Sequence, residues 1–400
     1  MEFDQIKEIA KSTPSKIVLM VMDGLGGLPH PDTGKTELET AKTPNIDLLA
    51  REGMCGLIDT VSPGITPGSA PGHLALFGYN PLKFKVGRGV LEALGIDFDL
   101  KAGDVAARGN FCTVDQRGLV TDRRAGRIST ETNIELCKLL DGFKSDNVSV
   151  IVSPVKEHRF VVVLRGEGLS SELSDSDPQV TGVAPKEVAA LLPQAARAAH
   201  VATRFVAKAK TVLADKHPAN MVLLRGFDQY PNFPKMGEVF KLNPAAISSY
   251  PMYRGLAKVV GMQVLATGAA IEDEFATLTQ NFADHDFFFL HIKQTDSAGE
   301  DGDFERKVKV IESVDCCLPR LLALKPDVIV VTGDHSTPAL LKAHSWHPLP
   351  MLLHSRWCRP DRVEKFSERA CAAGSLGKFH ATHIMPLALA HALKLEKFGA

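Results

Sequence analysis

The stretch Asp327-Val328-Ile329-Val330-Val331-Thr332-Gly333-Asp334-His335-Ser336 constrains this chain more than any other. Its five consecutive β-branched residues predict a strand buried on both faces, as in a parallel sheet. The run stops at Gly333, and a carboxylate and an imidazole follow at once. Ligands of open α/β sheets gather at the carboxyl ends of the strands. Asp334 and His335 therefore stand where chemistry is expected, and their donor types suit a hard divalent ion. Alone, the pair is equally compatible with a polar loop that merely ends a strand.

Two further segments repeat the pattern. Lys16–Met22 reads as a buried strand ending at Asp23-Gly24, and Phe287–Ile292 as another, followed by Lys293-Gln-Thr-Asp296-Ser-Ala-Gly-Glu300. Gly24-x-Gly26 is not a dinucleotide fingerprint, because Pro29 stands where the third glycine belongs. Gly34-Lys35-Thr36 fails as a phosphate loop at the same residue. Between these segments, Pro67-Gly-Ser69-Ala-Pro-Gly-His73 predicts a stiff turn that exposes the Ser69 hydroxyl. A helix is predicted from His73 to Tyr79, and its N-terminus would favour an anion near Ser69. Thr43 and Pro44 predict the N-cap and first residue of a further helix. Val308, Ile311, Val314, Leu318 and Leu321 predict a helix over 304–322, interrupted near Pro319.

The character of the chain changes between about residues 90 and 235. Short strands are predicted at Val105–Val114, Val148–Val152, Phe160–Arg165 and Met221–Leu224, with an alanine-rich helix over 185–215. Cations cluster beside them: Arg123, Arg124, Arg127, His158, Arg159 and Arg225. Three such clusters in a chain of net charge −1 favour a small anionic substrate. The same near-neutral balance gives no footprint for nucleic acid. No apolar run approaches the ~20 residues of a membrane span. Seven cysteines, an odd number without a C-x-x-C pair, together with an N-terminus lacking an apolar signal core, predict a cytoplasmic protein. The 400 residues divide into a discontinuous core domain, 1–90 and 236–400, and an inserted smaller α/β domain, 91–235.

Carboxylates with a few imidazoles suit Mn²⁺ or Mg²⁺, with Zn²⁺ possible, and their number is enough for two ions. A serine hydroxyl, a poor nucleophile at neutral pH, is activated by such coordination. The motifs Asp23-Gly, Pro67-Gly-Ser69-x-x-x-His73-Leu, Asp296-x-x-Gly-x-Asp-Gly, Gly333-Asp334-His335-Ser336 and His344-Ser-Trp-His-Pro-Leu-Pro resemble the alkaline phosphatase superfamily. Their order and spacing resemble the archaeal type of cofactor-independent (2,3-bisphosphoglycerate-independent) phosphoglycerate mutases. Leu38-Glu-Thr-Ala-Lys-Thr-Pro-Asn-Ile-Asp47, Arg108-Gly-Asn-Phe111 and Arg123-Arg-Ala-Gly-Arg127 narrow the match.

The resemblance implies an alkaline-phosphatase-like α/β core, with a central mostly parallel sheet flanked by helices, and a phosphoglycerate substrate. It implies that Ser69 becomes phosphoserine and that Lys241 neutralises charge beside it. Asp23, Ser69, Asp334 and His335 would hold one ion; Asp296, position 300 and His344 would hold the other. The six arginine and histidine positions above would clamp the glycerate. Glu300 departs from the pattern, standing where the family has histidine, and is expected to ligate in its place, or else to turn outward while His347 or another nearby group substitutes. Asp122 and Asp175 are candidates for proton transfer. The other readings are a metal-dependent phosphatase or phosphotransferase acting on another small phosphate ester, and a non-catalytic binding homologue.

Overall fold

Ile17–Met22, Phe287–Ile292 and Val328–Thr332 are adjacent parallel strands at the centre of an eight-stranded sheet, and every one of their residues is buried. The structure, a computed structural model, describes residues 3–399; expectations that include residues 1, 2 and 400 extend outside the described residues. The sheet runs in the order Gln263–Leu265, Pro244–Ile247, Phe287–Ile292, Ile17–Met22, Val328–Thr332, Leu349–Ser355, Met54–Asp59, Gly377–His380. Only Leu349–Ser355 runs antiparallel to its neighbours. The expected mostly parallel sheet is therefore present. One face packs against the helix Phe304–Ala323, whose Ile311, Val314, Leu318 and Leu321 share a core with Met20, Met22, Phe288, Leu290 and Val331.

The chain divides into two compact units. The first comprises Met1–Lys85, Phe233–Tyr250 and Val260–Ala400, and contains this sheet. The second comprises Val86–Asn232 and Pro251–Val259. Its sheet is antiparallel: Val105–Val114 pairs with Val120–Asp122, Arg159–Arg165 and Met221–Asp228, and Val148–Lys156 pairs with Arg159–Arg165 and Phe143–Ser145. Thr130–Leu140 and Ala196–Val212 supply helices to its core, where Leu136, Leu140, Ala198 and Phe205 meet Phe111, Val150 and Phe160.

Several expectations need correction. The helix after the Gly/Pro turn begins at Ser69 itself, spanning Ser69–Leu76, because proline is tolerated in the first turn, where its missing N–H has no partner to lose. The helix Phe304–Ala323 runs through Pro319; Leu318 and Leu321 are buried beside it, and their packing outweighs the ~3 kcal/mol cost of the proline. The alanine-rich segment is helical only from Ala196 to Val212. Thr43 occupies the N-cap of Pro44–Glu52 without a side-chain bond to the helix backbone, and Asp315 instead accepts from the N–H groups of Asn45 and Ile46. Lys241 caps the helix Met236–Phe240 in left-handed conformation, before the strand Pro244–Ile247.

Candidate metal and phosphoryl-transfer site

Register levels the ends of the three central strands. Val21 lies opposite Thr332 and Met22 opposite Ile292, so Asp23, Lys293 and Gly333 follow at one edge. The short helix Gln294–Asp301 then presents Asp296 there. Asp23, Asp334 and His335 are completely buried, and Asp296 almost so. Two glycines make the crowding possible. Gly24 has φ +66°, and a Cβ there would lie 2.6 Å from Thr337 Oγ1. On Gly72 a Cβ would meet the Asp334 carbonyl oxygen at 2.4 Å, so the Ser69–Leu76 helix reaches this loop only without a side chain at that position.

Two groups of donors result, and both contain His335. In the first, ligand atoms of Asp23, Asp334 and His335 lie within 4.8 Å of one another; in the second, those of Asp296, His335 and His344 do so. His335 Nε2 is 3.0 Å from Asp334 Oδ2 and 3.4 Å from Asp23 Oδ1. His344 Nε2 is 3.7 Å from Asp296 Oδ1, while its Nδ1 lies 3.0 Å from the Pro67 carbonyl, which directs Nε2 inward. Ser69, at the first position of its helix, has Oγ 3.3 Å from His335 Nε2.

Burial alone would raise the carboxyls here, yet both first-group aspartates are lowered. Burial and neighbouring Asp334 push Asp23 up, but Lys293, His291 and His335 outweigh them and hold it at about 2. Burial likewise opposes ionisation of Asp334, and His335 and His73 overcome it, leaving it well below the usual carboxylate range. His335 is driven down by burial and up by Asp334, Asp23 and Asp296, reaching about 9. Buried Asp23 Oδ1 and Asp334 Oδ2 have no aligned hydrogen-bond donor. Unsatisfied carboxylate oxygens at zero exposure are costly unless a cation takes them.

Several contributors were not singled out for roles here from the sequence. His291 Nε2 sits 3.2 Å from Asp23 Oδ2, with its Nδ1 3.3 Å from Ser248 Oγ. His73 Nδ1 is 2.9 Å from the Ser69 carbonyl and 3.1 Å from Asp334 Oδ2. Lys293 Nζ donates to Asp23 Oδ2 at 3.2 Å and also to Asp296 Oδ2. Lys293 thus sets its ammonium between Asp23 and Asp296. Lys241 precedes the amino end of a strand parallel to Phe287–Ile292, so it lies at the opposite edge of the sheet from Asp23 and does not join the group. Only the strand's direction distinguishes these two lysines.

Glu300 also stands apart. It shares a helix face with Asp296 but is half exposed, with Oε1 3.9 Å from His344 Nε2. His347 is engaged elsewhere, Nδ1 3.0 Å from Ser345 Oγ. In the second group, His335 Nδ1 lies 3.9 Å from Asp296 Oδ1, and Glu300 lies at its exposed margin.

The second unit holds a cationic cluster of its own. Pairing sets Arg108 opposite Arg225 and Asn110 opposite Arg159. Arg123 binds Asp177 through Nε at 3.0 Å and Nη2 at 2.7 Å, with Arg225 Nη1 3.6 Å from the same carboxylate. Burial, then Arg159, Arg124, Arg108 and Arg127, push His158 down to about 3, so its imidazole is neutral at pH 7. His158 Nδ1, Arg108 Nε and Asn110 Oδ1 are buried without hydrogen-bond partners. Arg108, quoted above only as part of a motif, pairs with buried Glu92. Arg124 and Arg127 are exposed. Asp122 accepts from the Arg124 and Gly126 N–H groups and Asp175 from that of Gly226, so both brace loops.

The family model described as 2,3-bisphosphoglycerate-independent phosphoglycerate mutase matches residues 50–220. The chain is 51% identical over 403 residues to a "Probable 2,3-bisphosphoglycerate-independent phosphoglycerate mutase" of Thermus thermophilus, covering 100% of this chain and 99% of the relative. With the protein of the same name from Thermotoga maritima it shares 49% identity over 397 residues, covering 99% and 98%. Among solved structures, the PH0037 protein of Pyrococcus horikoshii superposes with a TM-score of 0.84 at 30% identity, covering 97% of this chain and 100% of that one. The cofactor-independent phosphoglycerate mutase of Thermoplasma acidophilum gives 0.70 at 30% identity, covering 94% and 100%.

Proposed function

Because this chain belongs to the 2,3-bisphosphoglycerate-independent phosphoglycerate mutase family, we propose that it interconverts 3-phosphoglycerate and 2-phosphoglycerate by way of a phosphoserine at Ser69. The observation that carries this reading is the placement of Ser69 Oγ 3.3 Å from His335 Nε2, the one atom common to the contacts of Asp23, Asp334 and Ser69. Asp23, Asp334 and His335 would hold one divalent ion through His335 Nε2, and Asp296 and His344 would converge on a second. The unsatisfied buried oxygens and the absence of cysteine from the donor set suit Mn²⁺ or Mg²⁺. Ions bound there would lower the pKa of a coordinated hydroxyl and offset charge on a phosphoryl group.

The chain's own residues supply the rest. Ser69 Oγ gives up its proton and attacks phosphorus, the bond between phosphorus and the glycerate oxygen breaks, and that oxygen takes up a proton. The other glycerate hydroxyl then loses its proton and attacks the phosphoserine, the bond from phosphorus to Ser69 Oγ breaks, and Ser69 takes a proton back. Lys293, between Asp23 and Asp296, would counter charge at the transferring group. Arg123, Arg124, Arg127, Arg159 and Arg225, joined by Arg108, would bind the carboxylate and phosphate. Neutral His158 can donate or accept a hydrogen bond at Nδ1 beside them. The division of labour, metal chemistry in the core domain and substrate clamping in the inserted domain, belongs to this proposal, as does a cytoplasmic setting.

The test is a coupled assay on 3-phosphoglycerate without added bisphosphoglycerate, run with Mn²⁺, with Mg²⁺ and after chelation. Metal-dependent formation of 2-phosphoglycerate is expected. Release of free phosphate in its place would support a phosphatase and overturn the mutase reading.

A further inference from the structure

Helix Phe304–Ala323 is amphipathic, yet Lys307 within it is completely buried. A buried ammonium persists only where its donors are satisfied. Those of Lys307 reach two main-chain carbonyls: Gly26 at 3.0 Å and Thr337 at 2.9 Å. Glu37 Oε1 lies 3.9 Å away as its counter-charge. Gly26 belongs to the loop that carries Asp23, and Thr337 to the loop that carries Asp334 and His335. A single side chain therefore ties together the two loops that supply the first donor group.

Thr337 passes this constraint on. Its N–H lies 3.0 Å from the Gly26 carbonyl, and its hydroxyl donates to Asp296 Oδ1 at 2.8 Å. That hydroxyl also lies 2.9 Å from His335 Nδ1. A hydroxyl has one proton to give. With that proton committed to the carboxylate, Nδ1 must carry the hydrogen of this contact, and in the neutral ring Nε2 is left as the lone pair facing Asp23, Asp334 and Ser69. The partner of a ligating imidazole's other nitrogen fixes both its tautomer and its orientation.

We propose that Lys307 is a positioning residue for the metal site, acting through Thr337 to set the orientation and tautomer of His335 and its spacing from Asp296. The proposal rests on the reading that these groups bind metal. Replacing Lys307→Met keeps length and removes the donors. In variants whose folding is verified by circular dichroism, calorimetric titration with Mn²⁺ is expected to show affinity weakened about 10- to 100-fold. At saturating Mn²⁺, KM for phosphoglycerate should be unchanged. Exposed Lys309→Met should bind Mn²⁺ like the parent.

Thr337→Val should weaken Mn²⁺ binding similarly, and the double variant should be no weaker than the more affected single one. Additive losses, or unchanged affinity in folded Lys307→Met, would overturn the proposal. If Lys307→Met does not fold, Thr337→Val decides alone, since it keeps the main-chain carbonyl that Lys307 binds; parental affinity there overturns the proposal. Failure of the parent protein to bind Mn²⁺ would instead overturn the metal reading.

Discussion

His335 and His344 lie face to face, their ring centroids 3.5 Å apart and their planes 21° from parallel. Within the stack, His335 Nε2 lies beside Ser69 and His344 Nε2 beside Asp296.

Ser69→Ala removes only the hydroxyl from the first turn of its helix. Secondary structure and thermal stability should be preserved, while mutase activity falls by at least about 10⁴-fold, in line with the loss of a nucleophile. Incubation with labelled 3-phosphoglycerate should label the parent protein but not this variant.

Glu300 is half exposed and 3.9 Å from the nearest donor, His344. Glu300→Gln should therefore change Mn²⁺ affinity by less than about tenfold, whereas Asp296→Asn should remove binding at the second group. Titration calorimetry of both variants separates a primary ligand from a neighbouring charge.

Glu92 and Arg108 form a buried pair in the second unit. Glu92→Ala should lower unfolding free energy by roughly 3–5 kcal/mol, because the guanidinium is left uncompensated. Urea denaturation followed by far-ultraviolet circular dichroism measures this.

Glu274 supplies a pH dependence away from the chemistry. It is completely buried, and burial, only partly offset by Ser249, raises its carboxyl from 4.5 to about 8. The folded state therefore retains a proton that the unfolded chain gives up. This contribution is fully present below pH 4.5 and is lost as pH rises through about 8. Between pH 6 and 8 the parent should lose about 2–3 kcal/mol more stability than Glu274→Gln, as read from urea titrations at the two pH values.

The strand ends were legible because β-branched runs and abrupt Gly or Asp stops are local signals. Asp23, Asp296, Asp334, His335 and His344, taken from separate motifs, fall together on levelled strand ends. Residues that act through tertiary contacts left no such signal. Lys307 sits in an ordinary amphipathic pattern, and its burial depends on two loops 281 and 30 residues away in sequence. His291 reads as one polar residue in an apolar strand. That Lys293 rather than Lys241 stands beside Asp23 follows from which edge of the sheet each lysine occupies, and this is fixed only once strand directions are known. The start of the Ser69 helix was misplaced because Pro71 looks like a barrier, although a first turn accepts it.

The reversed direction of Leu349–Ser355 also has a consequence. Its amino end meets the carboxyl end of Val328–Thr332, with the Thr332 hydroxyl donating to the Pro350 carbonyl at 2.9 Å. One return loop can therefore leave and rejoin the sheet at the same rim, delivering His335 on the way out and His344 on the way back. A parallel strand in that slot would begin at the far rim, roughly 20 Å away, and His344 would begin there with it. The meeting of the two imidazoles is thus decided by the polarity of one strand, before any side chain is chosen.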